Sequence, residues 1–149
     1  MRGQESTRPH GHGTRDELVA IYDRAKTIAV VGASGNESKP GHFIPRYLQS
    51  QGYRIVPVNP RGGTILGERA YRSLREVDVP VDVVDVFRPP SEAEAIVQDA
   101  AAIGASVVWF QPGTYSEEAV GLASDAGLMV VADRCMGETH GELGLGPGP

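Results

Sequence analysis

Five short apolar runs, "TIAVVG", "YRIVPVNP", "VDVVDVF", "SVVWF" and "LMVVAD", are spaced along the chain with helix-forming segments between them. The first of them, "TIAVVG", is nearly continuously apolar, as suits a parallel strand covered on both faces. Glycine punctuates the segments between. A helix over Phe43 to Gln51 would end at Gly52, one from Ser91 to Ile103 at Gly104, and one from Ser116 to Ala126 at Gly127; glycine is the residue most at ease past a helix end. A shorter helix is expected around Ser73 to Val77. Ahead of the first run, Thr14 and Glu17 have capping-box spacing, and Leu18, Ile21, Tyr22 and Ala25 recur at helical intervals. Strand and helix in alternation require right-handed crossovers. The expected fold class is therefore α/β, a single doubly wound parallel sheet of about five strands flanked by helices.

At 149 residues the chain has the length of one domain. Residues 1–13, polar and rich in glycine and histidine, are expected to be a flexible arm. Residues 14–137 form the expected domain, and the Gly/Pro-rich segment 138–149 a flexible, fraying tail. His10 and His12 in the arm are weak candidates for metal, and no C-x-x-C or H-E-x-x-H spacing supports a metal site elsewhere. The net charge of −5 disfavours a general nucleic-acid or anionic-membrane binder. No apolar run approaches the ~18 residues of a membrane span, and the polar start does not resemble a signal peptide. A single cysteine, Cys135, fits a reducing, cytoplasmic setting.

In an open α/β sheet, ligands bind beyond the carboxyl ends of the strands, where the strand order reverses. The loops expected to converge there are Gly32–His42, Asn59–Thr64, Phe87–Pro90, Gln111–Thr114 and Asp133–Gly137. The first reads Gly32-Ala33-Ser34-Gly35-Asn36-Glu37, not G-x-G-x-x-G. Its small residues would let a phosphate approach the backbone at a helix N-terminus, with the Ser34 hydroxyl and the Asn36 amide beside it. Lys39 and Pro40 close the loop and belong to the candidate site, with His42 just beyond. In the second loop, Asn59 and Pro60 stand where an NAD site carries a carboxylate, and Arg61 follows. Arginine offers a planar donor fork to an added ribose phosphate. Two abundant ligands carry one: NADP and coenzyme A (CoA).

The motifs "VVGAS", "GYRIVPVNP", "SL", "VDVVDVFR", "GASVVWFQPG" and "AGLMVVADRC" together resemble, in order, the small stand-alone CoA-binding proteins of Rossmann-like fold. More distantly they resemble the CoA-binding domain of the succinyl-CoA synthetase alpha subunit. The resemblance spans about residues 27–137. It implies that Gly32, Ala33, Ser34 and Asn36 cradle phosphate and that Arg61, before Gly62-Gly63, binds a phosphate of the ADP moiety. It further implies that Phe87, Arg88 and Pro89 line the adenine or pantetheine groove, and that Gln111, Pro112 and Gly113 meet the pantetheine arm. The synthetase's phosphorylated histidine lies in a following domain and its nucleotide-handling partner is a separate subunit, so ligase activity is not expected here.

Cys135, with His140 and Glu142 downstream, could be a nucleophile toward a thioester or simply a packing residue. Asp82, Asp85 and Asp133 show no acid/base spacing, and Trp109 and Phe110 read as core. The expectation is a non-enzymatic binder of CoA or a short acyl-CoA, with room for a protein partner. The alternatives are a small NADP-dependent oxidoreductase and a regulatory adaptor with a nucleotide-type crevice.

Overall fold

The structure, a computed structural model, describes residues 13–149. His10 and His12, and nearly all of the expected N-terminal arm, lie outside these residues. Strands β1 (Thr27–Val31), β2 (Arg54–Val58), β5 (Val83–Val86), β6 (Val107–Phe110) and β7 (Met129–Ala132) form one parallel sheet. The strand order is β2-β1-β5-β6-β7. Helices α1 (Arg15–Arg24), α2 (Pro40–Ser50) and α5 (Met136–Glu142) cover one face, and α3 (Ala93–Ala102) with α4 (Glu117–Asp125) the other. This is the doubly wound, Rossmann-like architecture that the alternating pattern dictates.

Side-chain alternation divides the central strands between two cores. Val84, Val86, Val108 and Phe110 face α3 and α4, whereas Val83, Val107 and Trp109 face α1, α2 and α5. Trp109 and Phe110 are fully buried, as expected of core residues. The Trp109 indole donates to the Arg134 carbonyl at 2.8 Å, tying a core ring to the loop after β7.

Local chemistry explains most element ends. Thr14 accepts from the Glu17 amide at 3.1 Å and the Glu17 carboxylate accepts from the Thr14 amide at 2.7 Å, completing the capping box. Ser116 caps α4 through the Ala119 amide at 3.1 Å. Asp82 accepts from the amides of Lys26 and Thr27, both at 2.9 Å, and so joins the start of β5 to the start of β1.

Four local expectations need correction. Helix α2 begins at Pro40, not Phe43, because proline suits a first turn whose N–H groups have no helical partner. Ser91 makes no side-chain cap; a 3-10 turn over Pro90–Glu92 leads into α3 instead. A hairpin of β3 (Thr64–Ile65) and β4 (Glu68–Arg69) follows β2 where none was expected. Its two-residue turn holds Leu66 at φ 55° and Gly67 at φ 77°, and leucine is so unusual at positive φ that the turn has no sequence signal.

The segment from 138 onward is the fourth. Residues 138–142 belong to α5, His140 is 1% exposed, and Leu143 and Leu145 pack on the core beneath α1 and α2. The Gly148 amide donates to the Gln51 carbonyl at 2.6 Å, fastening the end of the chain to the end of α2. His140 fills an aromatic pocket, with the rings of Tyr22, Tyr47 and Tyr53 at 5.3, 5.5 and 5.9 Å. Burial holds its pKa below the usual histidine value.

Candidate functional site

The chain runs from β1 outward to β2 and then returns across β1 to β5. The order reverses between β1 and β5, and the loops after these strands flank that point. An open crevice of about 1260 Å³ lies there, larger than a compact drug-type pocket and suited to an extended ligand.

The opening loop is built from the backbone. Gly32 has φ 96°, and a Cβ on it would lie 2.9 Å from the Phe87 carbonyl, so only glycine lets β1 and β5 loops meet this closely. The Ser34 amide donates to the Gly41 carbonyl at 3.1 Å. That carbonyl is available because Pro45, four residues on, has no N–H to give it. The His42 Nδ1–H donates to the Ser34 carbonyl at 2.7 Å, which fixes the hydrogen-bearing nitrogen of that ring. The Ser34 hydroxyl accepts from the Asn36 amide at 3.0 Å, and Asn36 in turn accepts from Ser38. The amides of Ala33 and Gly35 make no hydrogen bond among the described residues. A loop held at both ends, with free N–H donors between, is an anion receptor in form.

The second loop is locked to the first by Asn59. Its Nδ2 donates to the Ala33 carbonyl at 2.8 Å, and its Oδ1 accepts from the Arg61 amide at 2.8 Å. Both ends of this side chain are engaged within the protein, so Asn59 braces the site. Arg61 follows, with Gly62 at φ 68° and Gly63 at φ 83°. Pro60, Arg61 and both glycines line the crevice.

From the remaining loops, Phe87, Arg88, Gln111, Pro112 and Cys135 reach the crevice. Arg88 is paired with Glu92 through two contacts of 3.1 and 2.7 Å, which raises the guanidinium pKa and lowers that of the carboxyl. Gln111 is 4% exposed and its Oε1 accepts from the Met136 amide at 3.0 Å, anchoring the start of α5. Cys135 is the N-cap of α5, and its sulfur accepts from the Glu138 amide at 3.5 Å. His140 does not face it; its Nδ1 meets the Tyr47 hydroxyl at 2.8 Å instead. The thiol-beside-histidine arrangement considered from the sequence is absent.

The crevice thus brings together Gly32, Ala33, Ser34, Asn36, Lys39 and Pro40 with the residues of the other loops just named. Pro89 and Gly113 do not line it; Gly113, at φ 79°, shapes the turn behind Pro112. Sequence reasoning missed Phe43, Ile44, Ile65 and Glu138, which also line the crevice. Phe43 is 40% exposed, and an aromatic ring in a helix's first turn is a signal that helical spacing alone hides. Among the described residues no group of three or more His, Cys, Asp or Glu could hold a metal ion, and no helix is long and apolar enough to cross a membrane.

Residues 26–141 match the family described as CoA binding domain. The Bacillus subtilis protein YneT is 35% identical over 127 residues, covering 85% of this chain and 94% of its own length. A solved structure from Thermus thermophilus is 44% identical with a TM-score of 0.84, over 88% of this chain and 99% of that one. The alpha subunit of the ADP-forming acetate–CoA ligase II of Pyrococcus furiosus is 27% identical over 139 residues, covering 85% of this chain. Only 30% of that subunit is matched, so the likeness is to one part of a larger enzyme. The chain belongs to the CoA binding domain family, as a domain for CoA or a related nucleotide or acyl-CoA group.

Proposed function

We propose that this protein binds CoA or a short acyl-CoA in the crevice and performs no chemistry of its own on it. The observation that carries this reading is the junction of two loops. The free amides of Ala33 and Gly35 face a diphosphate requirement, and Arg61, joined to that loop through Asn59, meets a ribose phosphate requirement. Gly32, Ser34, Asn36, Lys39 and Pro40 would shape the diphosphate end. Phe43, Ile44, Ile65 and Phe87 offer an apolar wall for adenine or pantetheine, with Arg88 at its edge. Gln111, Pro112 and Cys135 would lie toward the pantetheine arm.

Mass spectrometry of the native protein as purified should detect a retained CoA-type ligand, and calorimetry should show CoA binding more tightly than dephospho-CoA. A charge-assisted contact from Arg61 to the ribose phosphate corresponds to about 1.5–3 kcal/mol, or roughly tenfold or more in affinity. Retention of NADP would transfer the site to a dinucleotide. Absence of CoA binding would overturn the reading.

Cys135 provides a second check. With the pantetheine thiol at this end of the crevice, the Cys135 thiolate attacks a sulfur of CoA disulfide, forming a protein–CoA mixed disulfide and releasing one CoA thiolate. Intact mass should rise by one CoA in the wild type, return to the starting value on reduction, and stay unchanged in Cys135→Ser. Identical mass profiles for the two proteins would leave Cys135 as an N-cap and packing residue only.

A further inference from the structure

Beside the second loop lies a second arginine, Arg72, that neither the loop's sequence motif nor the crevice lining brings forward. Three hydrogen bonds zip residues 70 and 71 to the loop: Ala70 amide to Gly63 carbonyl at 2.8 Å, Asn59 amide to Tyr71 carbonyl at 2.8 Å, and Tyr71 amide to Pro57 carbonyl at 2.9 Å. The next residue, Arg72, is thereby delivered beside the turn that holds Arg61. A Cβ placed on Gly62 would lie 3.3 Å from Arg72 Nε and 3.5 Å from its Cγ. The bare glycine is therefore the seat on which the Arg72 side chain rests.

Neighbouring arginines have acidic or aromatic partners. Arg75 meets Asp99 at 2.7 Å, Arg88 meets Glu92 at 2.7 Å, and Arg69 lies 4.5 Å above the Tyr71 ring. Arg61 and Arg72 have none among the described residues. In a chain of net charge −5, two uncompensated arginines, Arg61 on the turn and Arg72 on the segment hydrogen-bonded beside it, form a local anion site.

We infer that Arg72 is a specificity-determining residue that joins Arg61 in clamping a phosphate monoester on the ribose of the bound nucleotide. The inference rests on the proposed CoA site. It adds that the site reads the terminal monoester with two cations, one on each side of Gly62. A monoester carries up to two negative charges and three acceptor oxygens, enough for two arginine forks, whereas each phosphate of a diphosphate bridge carries about one.

The test is calorimetry of CoA and dephospho-CoA on the full chain and on Arg72→Gln, Arg72→Lys and Arg75→Gln. Arg72→Gln should weaken CoA by about tenfold while leaving dephospho-CoA within about twofold, because only CoA carries the monoester. Arg72→Lys, which keeps the charge and loses the fork, should fall between wild type and Arg72→Gln. Arg75→Gln, whose side chain is paired with Asp99 on α3, should change neither ligand. Equal weakening of both ligands would assign Arg72 to the diphosphate, and no weakening would leave it a surface residue; either overturns the inference while CoA binding by the wild type stands. Failure of the wild type to bind CoA would remove the proposed site itself.

Discussion

Gly41→Ala should cost at least about tenfold in CoA affinity and about 1–3 kcal/mol in stability, the range for a forced overpacking. A Cβ at residue 41 would stand 2.5 Å from the Gly32 carbonyl oxygen, a backbone atom with no rotamer into which to retreat. To relieve the contact, α2 and the opening loop must part. The hydrogen bond from the Ser34 amide to the Gly41 carbonyl would be lost with them, and the free amides of Ala33 and Gly35 would no longer be held in place. Titration calorimetry with CoA, beside urea unfolding of the same sample, separates the two effects. Wild-type affinity in a folded Gly41→Ala protein would show that the ligand does not depend on this loop.

The second large effect is expected inside the sheet, at Asp85. Asp85 is on β5, in register with Val30 and Trp109 on its neighbours, is 0% exposed, and has no hydrogen-bond partner at either carboxylate oxygen among the described residues. Desolvation drives its pKa well above the usual carboxylate value, so burial favours the neutral acid. A raised folded-state pKa means that the folded chain holds this proton more tightly than the unfolded chain. The associated stability is fully present below the unfolded value, about 3.9, and is lost as pH rises through the folded value.

Asp85→Val removes the unpaired polar group and keeps a β-branched residue in a central strand. It should raise stability by about 1–3 kcal/mol, with the advantage over wild type growing as pH rises above the unfolded carboxyl value of about 3.9. The slope of that gain is bounded at about 1.4 kcal/mol per pH unit for one proton. Urea unfolding at several pH values tests both statements. A destabilised Asp85→Val protein would mean that the carboxyl has a compensating partner. The physical reading of Asp85 would then be wrong.

The sequence determined the sheet and the place of the site. Consecutive apolar residues at 28–31 and 107–110, with Gly32 at the end of the first run, need cover on both faces and a tight exit. Those requirements are local, so periodicity and glycine positions were sufficient to read them. The motifs that carried the resemblance lie at the same strand ends, and the loops expected to converge do line one crevice.

Tertiary structure decided what depends on a partner distant in sequence. Pro45 falls inside the expected helix, and only the assembled loop shows that the Ser34 amide uses the carbonyl that it leaves free. Asn59 reads as the substitute for a ribose-binding carboxylate, yet both ends of its amide are spent on bracing two loops. The tail reads as Gly/Pro-rich and fraying, but His140 is held among three tyrosines brought from three separate segments. Asp85 reads as one acid in an apolar run, and only the assembled sheet shows that no described residue answers it. In each case the residue's own propensity was outweighed by a hydrogen bond, a ring contact or a loss of solvent that exists only once the strands and helices have assembled.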